Sequence, residues 1–568
     1  MSFLLFLETS GNQAYLYATN RLKENIGASE LTCRTGTRWL LEAVAKAGGP
    51  TGIWLDNDLD PAGLRQRLRQ GHTGNGIEII LATSGKGLIR VEKREAAEQI
   101  MRQVAARALS EAPGLDVCGA IVELNHPADP SNIADGNRLF AEAYTAVHHR
   151  YNDARNIMRS PLQRHPMLPG LETCTSSGLP AKRLEKIGEA EQALADASLK
   201  KREAAPAWFK RIGALMAGKG SVLLGKSMDE LEKGFEALDW MGVVFADGNG
   251  LGQLFMNFEK YLPDGKAYSE TLREFSLAID ECNETAFHTA CAELASHAGD
   301  ARGIIPVVPL VLGGDDLTLV MDGRYALDFT CTFLRTFDKQ SGENTIIREI
   351  AGKGLKAPRL SACGGVAIVK RHFPFHAAHA LAEALLKSAK QVKQHVLNAE
   401  GDPFPCSALD FHILYDATFS NLKTLRDERR TLHENGHTSR LYGGPYVVTS
   451  ADKLQEAADH GKWASEHLIS ALTDRVHALS ERDSDNRYIL PNSQMHGLRE
   501  ALSLGRSVAN NRLADLRRHY GNKLDALCEN ENRNSLFRSV GEEHSTRFLD
   551  AISSCGFWNN PADGEAKS

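Results

Sequence analysis

Two short stretches of the 568-residue chain place chemistry-bearing residues at the ends of apolar strands. In Pro309–Val320, two apolar runs are joined by Gly313, Gly314, Asp315 and Asp316. Glycines supply the positive φ of a tight turn and let a phosphate approach the backbone, whereas two adjacent carboxylates repel each other unless a cation lies between them. In Val243–Gly252, an apolar strand stops at Asp247 and runs into Gly248, Asn249 and Gly250. If these strands are neighbours, Asp247, Asp315 and Asp316 converge on one corner backed by the sheet. Three carboxylates with room for water suit Mg2+ or Mn2+, and two such ions can activate a 3′-hydroxyl and stabilise a leaving pyrophosphate. That chemistry is nucleotidyl transfer. For Gly-Gly-Asp-Asp alone, a solvated aspartate turn is the bland alternative.

The elements that must hold these residues follow from hydrophobic periodicity. Phe3–Leu7 reads as a buried strand, followed by helical texture over Asn12–Ala45, a strand pair over Ile77–Val91, a helix over Lys93–Ser110 and a strand over Val117–Leu124. A proline-rich stretch, Ala154–Gly170, and a charged one, Ala181–Ala204, predict a connector of solvated helices. The pattern then returns as a strand at Met241–Ala246, a helix at Ser269–Ser296, a hairpin within Ile304–Met321, a strand at Ala362–Val369, a helix at Ala377–Leu397 and a strand at Leu409–Tyr415. Beyond Ala451 strands are not expected, and Trp463, Leu468, Leu472, Val476 and Leu479 recur at helical spacing. The expected fold class is α+β: a βα unit at 1–150, a connector at 151–236, a second βα unit at 237–450 and a helical bundle at 451–568.

Composition narrows the function classes. Hydrophobic residues at 42% and charged residues at 24% fit a globular chain rather than a disordered or collagenous one. The longest nearly uninterrupted apolar run, Gly303–Gly314, contains two prolines and is too short to cross a bilayer, so no membrane partner is expected. The N-terminus lacks a basic leader, and ten scattered cysteines never form C-x-x-C, so a cytoplasmic location with reduced thiols is expected. A formal charge of −6 argues against a surface that binds nucleic acid throughout, but leaves room for a local basic groove. Lys200–Arg202, Arg429–Arg430 and Arg517–His519 are the basic clusters; a solvated face is the usual meaning of such runs.

Two other motifs match by chance. Gly220–Ser227 fits a phosphate loop, but no buried strand is read before it. His433–His437 fits a zinc-protease pattern, but Asn435-Gly436 breaks the helix it requires.

The motifs together resemble the palm domains of the large polymerase-cyclase subunit of type III CRISPR effector complexes. The match runs through Tyr15–Ser29, Ala246–Gly252, Gly313–Asp316, Leu360–Val369 with Phe373–Phe375, Leu381–Lys390 and Leu409–His412, in that order. The resemblance implies two ferredoxin-like palm domains related to nucleotide cyclases, a helical connector and a C-terminal helical bundle. It implies a pyrophosphate-releasing transferase that makes cyclic oligoadenylate from ATP within an RNA-guided antiviral complex. Asp247, Asp315 and Asp316 would hold two Mg2+ or Mn2+ ions, and Gly248, Gly313 and Gly314 would line the nucleotide site. Lys390 would bind the triphosphate and Ser269 would lie near the nucleotide; for Ser269 a plain helix N-cap is an equally good account. The implied partners are ATP, guide and target RNA, and other effector subunits docking on the first palm and the C-terminal helices. The alternatives are a cyclase of the same fold with another product or acting alone, and a non-catalytic scaffold.

The first unit carries Glu8 where the second has Asp247, and Ser84-Gly-Lys-Gly87 where the second has Gly-Gly-Asp-Asp, so it is expected to be silent. There is no His-Asp dipeptide, so the nuclease of larger relatives is not expected. Cys174 is a single thiol where a zinc module needs four ligands, so no structural zinc is expected.

Overall fold

The computed structural model describes residues 2–55, 60–129, 131–157, 170–187, 190–217, 222–226, 230, 238–300, 302–415, 421–434, 436–482, 485, 487–530, 532–540 and 542–558. The first unit contains β1 (Ser2–Ser10), α1 (Asn12–Leu16), α2 (Leu22–Gly36), α3 (Arg38–Lys46), α4 (Pro61–Gln70), β2 (Thr73–Gly74), β3 (Ile77–Thr83), β4 (Lys86–Val91), α5 (Arg94–Glu111), β5 (Asp116–Leu124) and α6 (Ile133–Ile157). Its sheet runs β2-β3-β4-β1-β5, the antiparallel order of a ferredoxin-like unit. β1 is apolar at successive positions because both faces are covered. Leu4 and Phe6 pack with Phe140, Val147 and Tyr151 of α6, while Leu5 and Leu7 pack with Ile100 and Val104 of α5.

The connector differs from the sequence expectation. Instead of solvated helices it forms a hairpin, β6 (Arg183–Ile187) and β7 (Ala190–Leu194), then α7 (Asp196–Ala217). The charges that suggested solvation are turned inward to partners: Lys201 donates to the Tyr15 carbonyl and Arg202 to Glu24. Leu199, Trp208, Ile212 and Met216 form a buried stripe. α7 crosses α2 so closely that a Cβ at Gly27 would meet the Lys201 carbonyl oxygen at 1.6 Å. Trp208 Nε1 donates to the Pro309 carbonyl at 3.0 Å, tying α7 to the second sheet. Trp208→Phe removes this donor and is expected to lower unfolding free energy by about 2 kcal/mol in urea titration.

After a two-residue strand β8 (Leu223–Leu224), the second unit contains β9 (Trp240–Asn249), α8 (Leu251–Met256), α9 (Tyr268–Ala298), β10 (Ile304–Ile305), β11 (Val307–Gly313), β12 (Asp316–Asp322), α10 (Ala326–Glu343), α11 (Thr345–Gly354), β13 (Ser361–Lys370), α12 (Phe375–Ala389) and β14 (Ala408–Leu414). Next come α13 (Leu422–Arg429), β15 (Thr431–Glu434), β16 (His437–Arg440) and β17 (Tyr446–Val447). The second sheet runs β11-β12-β9-β13-β14-β17, with β13 and β14 parallel. Its first four strands repeat the order β3-β4-β1-β5. Both hairpins also shift register at the same place, between Ile79 and Leu81 and between Pro309 and Val311.

The C-terminal region holds α14 (Lys462–Glu466), α15 (Ile469–Ser480), α16 (Asn492–Ser503), α17 (Arg506–Tyr520), β18 (Arg538–Val540), β19 (Glu543–Ser545) and α18 (Phe548–Ser554). The two strands correct the expectation that none follow Ala451. They complete a sheet in the order β15-β16-β19-β18. At three residues each, with Arg538 and Glu543 among them, they are too short and polar to leave an alternating apolar signal. Among the described residues, no helix is long and apolar enough to cross a membrane.

Candidate functional site

β9 is buried through Val243, Val244 and Ala246, and is paired on both sides, with β12 and β13. Leu317 stands opposite Ala246, which sets Asp316 beside Asp247 at the end of the ladder. The intervening turn is held from below by α9. Gly314, at φ +62°, donates its N–H to Asp280 Oδ1 at 2.9 Å, and Asn283 Nδ2 donates to the Asp316 carbonyl at 3.0 Å. Gly248 is needed for space: a Cβ there would lie 2.7 Å from Asp315 Oδ2. The three predicted acids and the three predicted glycines therefore meet at one corner.

Lys390 joins them. Its ammonium pairs with Asp247 Oδ2 and also donates to the Gly248 carbonyl at 3.2 Å. The helix expected over Ala377–Leu397 ends early, at Ala389, with Lys390 as its C-cap and a 3-10 turn beyond. Gly365 of β13 brings α12 into place, since a Cβ there would fall 2.1 Å from the Ala382 carbonyl oxygen.

Ser269 is not brought to this corner. It is neither the N-cap, which is Ala267, nor near the carboxylates: it precedes Asp280 by eleven residues, about 16 Å along α9. It lines a separate cleft with Arg90, His126 and Asn137.

The acids crowd one another. Withdrawal from water, then the charge of Asp247, pushes the Asp315 carboxyl up to about 7, with Lys390 opposing. Asp316 is pushed well above the ordinary carboxylate range by its protein surroundings, then by Asp315 and Asp247. Its side chain still reaches solvent at the mouth of the corner, which weakens the first cause more than the second, acting at close range. One ammonium faces three carboxylates, so the donor set carries an excess of negative charge suited to a hard divalent cation. Among the described residues, however, no three acidic, histidine or cysteine side chains are already arranged around a metal position, and Lys390 is paired with Asp247.

The first unit shows the contrast. Thr83 pairs with Lys86 as Gly313 pairs with Asp316, so Lys86 stands in the position of Asp316. It makes a 3.0 Å ion pair with Glu8, the counterpart of Asp247. This hairpin nevertheless helps build the site: a Cβ on Gly313 would lie 3.2 Å from Ser84 Cβ, so the two tips touch. Behind them lies a cavity of about 470 Å3, lined in part by Cys33, Ser84, Arg211, Asp280, Glu284 and Gly313.

Sequence reasoning missed the seam residues. Arg65 pairs with Glu284 at 2.7 Å and Asp280 at 3.2 Å, and Arg69 pairs with Glu274 and Glu281. Arg273, buried, donates to Glu78 at 2.7 Å and to the Ile79 carbonyl. Burial, then Asp280, pushes the Glu284 carboxyl up to about 7, partly offset by Arg65. A signal was present: arginines four apart on α4, and acids at 274, 281 and 284 along one side of α9. On the other side of the corner the first unit reaches over α12, with the Tyr17 and His379 ring centroids 3.8 Å apart.

The remaining motifs lie elsewhere. His433 and His437 sit on adjacent strands of a hairpin. Gly220, Ser221 and Ser227 lie outside the described residues, and Leu223–Leu224 between them pairs with β10. Of the basic clusters, Lys201 and Arg202 are committed to the first unit, Arg430 pairs with Asp550 and Arg517 with Asp525. Trp463 is stacked between His395 and His467.

Residues 240–397 match the family described as Cas10/Cmr2, second palm domain. No curated protein matches the chain. Among solved structures, the chain is similar to a Csm1–Csm4 cassette in complex with AMPPNP, at 13% identity and a TM-score of 0.46, covering 98% of this chain and 69% of that one. It is also similar to a Csm1–Csm4 cassette in complex with pppApA, at 15% identity and a TM-score of 0.38, covering 70% and 55%. For Csm1 in T. onnurineus the values are 14% and 0.36, covering 69% and 52%. The chain spans little more than half the length of these last two. Residues 240–397 are thus those in which the chain matches the second palm domain of the Cas10/Cmr2 family.

Proposed function

We propose that this chain is a metal-dependent nucleotidyltransferase that joins ATP into cyclic oligoadenylate as a subunit of an RNA-guided type III CRISPR complex. The observation that carries the reading is the meeting of Asp247, Asp315 and Asp316 at one sheet end, within the matched palm. These three carboxylates would hold Mg2+ or Mn2+, which when bound would acidify a 3′-hydroxyl and stabilise departing pyrophosphate. The chain's own residues do the rest. Gly248, Gly313 and Gly314 leave room for phosphates against the backbone, and Asp280 and Asn283 fix the turn. Lys390, released from Asp247, would pair with a substrate phosphate, so that substrate entry and exposure of the third carboxylate are one event. The first unit supplies a wall rather than a second centre, its Lys86 being cationic where a metal site needs an acid. In this reading, guide RNA, target RNA and other effector subunits are partners, and the cytoplasm is the place of action.

The Lys390–Asp247 pair also favours a second reading, a non-catalytic scaffold in which the lysine permanently neutralises the acid. Incubation with ATP and Mn2+, free or within its complex with target RNA, separates the two. Pyrophosphate release with adenylate rings by mass spectrometry is expected; no release in either condition leaves the scaffold. Mixed nucleotides in the same assay identify the base used, and co-purifying small RNA and helical subunits identifies the complex.

A further inference from the structure

The helix that delivers Lys390 is held from two sides. Gly365 lets β13 approach one side of α12, and on another side the chain of the inert first unit is laid along it. Asn20 Oδ1 accepts from the His376 N–H at 3.1 Å and lies 2.9 Å from His376 Nδ1. The Tyr17 ring stacks on the His379 ring, with centroids 3.8 Å apart and planes 34° from parallel. Against burial, Lys387 and then Gln13 of α1 hold the Glu383 carboxyl below its ordinary range. Positions 13, 17 and 20 therefore meet 383, 379 and 376, and the two segments run antiparallel. On α12, positions 376, 379 and 383 form one stripe, and Lys390 lies two turns beyond 383 on that same stripe, about 10 Å away.

Tyr17 is the residue of this clasp that lies toward the acids. His379 is 5% exposed, and its Nε2 hydrogen-bonds to nothing among the described residues, so its ring is fixed by packing rather than by its edge. Tyr17 supplies that packing together with Phe245, which stands two residues before Asp247 on β9 and has its ring centroid 5.5 Å from that of His379. Burial holds the imidazole down at about 4, so the stack is one of neutral rings. Burial pushes the Tyr17 phenol above its ordinary range; Thr318 opposes this, and the charges of Asp316 and Glu383 add to it, as expected for a residue set between the acidic turn and α12.

We propose that Tyr17 is a positioning residue for Lys390: by its stack on His379, with Asn20 at His376, the first unit fixes where α12 ends and thereby how firmly Lys390 holds the triphosphate of a bound nucleotide. The proposal rests on the reading of Lys390 as the phosphate-binding residue. It gives the first unit a part in substrate affinity that its silent hairpin does not supply. Without the Tyr17 ring the stripe that leads to Lys390 loses its cover, and the ammonium is no longer held where a triphosphate needs it. The acids stay in place, because their turn is held by Asp280 and Asn283 of α9 and not by α12.

The test uses the full chain with Mn2+ and, as probe, an ATP analogue with a methylene bridge between the α- and β-phosphates, which binds but cannot release pyrophosphate. AMP, which lacks the β- and γ-phosphates, is the control ligand. By calorimetry, Tyr17→Ala is expected to bind the analogue about tenfold more weakly and AMP as before, whereas Tyr17→Phe, which keeps the ring, binds both as the wild-type protein does. Asn20 is exposed, so Asn20→Ala leaves the fold in place; it is expected to weaken the analogue about threefold. In a Lys390→Gln background Tyr17→Ala is expected to have no further effect, because one residue acts through the other. A purely structural role for Tyr17 predicts equal weakening of AMP and the analogue, or a Tyr17→Ala loss that persists in full beside Lys390→Gln, and either result overturns the proposal. So does Tyr17→Phe as weak as Tyr17→Ala, or a wild-type protein that does not bind the analogue. A wild-type protein that binds in the expected pattern but releases no pyrophosphate from ATP refutes the transferase reading and leaves the assignment of Tyr17 standing.

Discussion

Asp315→Asn with Asp316→Asn is expected to abolish pyrophosphate release, by about a thousandfold or more, and at the same time to raise the melting temperature of the metal-free protein. The first effect follows because the two side chains supply two of the three carboxylates of the corner, and a loss of about 4 kcal/mol in transition-state stabilisation is about a thousandfold in rate. The second follows from proton linkage. Asp315 rises from 3.8 to about 7 on folding, and Asp316 rises further in the same direction. Between pH 4 and 7 the folded protein therefore binds more protons than the unfolded chain, so stability falls as pH rises through this window and levels off only above the folded values. Asparagine removes these two titrations and with them their share of the slope. Thermal scans in chelator from pH 4 to 8 should show the wild-type protein losing more stability toward neutrality than the variant, which keeps the slope that the raised Glu284 carboxyl contributes. A variant that melts lower than the wild-type protein at pH 7, or that keeps the full slope, would contradict the crowded-acid account.

Gly365→Ala is expected to cost about 4 kcal/mol, at the upper end of overpacking effects. The added methyl would meet the Ala382 carbonyl oxygen at 2.1 Å and the Leu386 nitrogen at 2.3 Å. Both are backbone atoms of α12, so no rotamer change relieves the contact, and the helix must lift from β13. The same helix presents Lys390 to Asp247, so residual folded protein should also lose nucleotide affinity. Gly352→Ala is the internal control. Its Cβ would meet nothing within 4 Å in α11, and alanine's higher helix propensity should leave stability unchanged or about 1 kcal/mol higher. Urea unfolding of the three proteins reads both effects.

The acid corner was legible because strands that end abruptly at Asp247 and at Gly313–Asp316 carry both a continuous apolar run and a turn signature. Lys390 was legible only through resemblance, since nothing in a helical lysine announces a carboxylate 143 positions earlier. Ser269 came from the resemblance alone, and the contact with the turn is made further along α9, at Asp280. The connector failed for a related reason. Charged residues were read as facing water, but Lys201 and Arg202 face Tyr15 and Glu24, partners that only the folded chain provides. The short strands of β18 and β19 escaped because their pairing with β16 is set by tertiary contact rather than by any local preference.

α9 has one further consequence. Its 31 residues make a rod about 46 Å long. Along it, in turn, the Tyr268 N–H donates to the Asn137 side chain, Arg273 clasps Glu78, and Asp280 and Asn283 clasp the turn that carries the acids. The first unit and the acidic turn are therefore fastened to the same continuous helix. The rate at which the Gly314 amide proton exchanges with deuterium is therefore a gauge of how firmly α9 holds the turn.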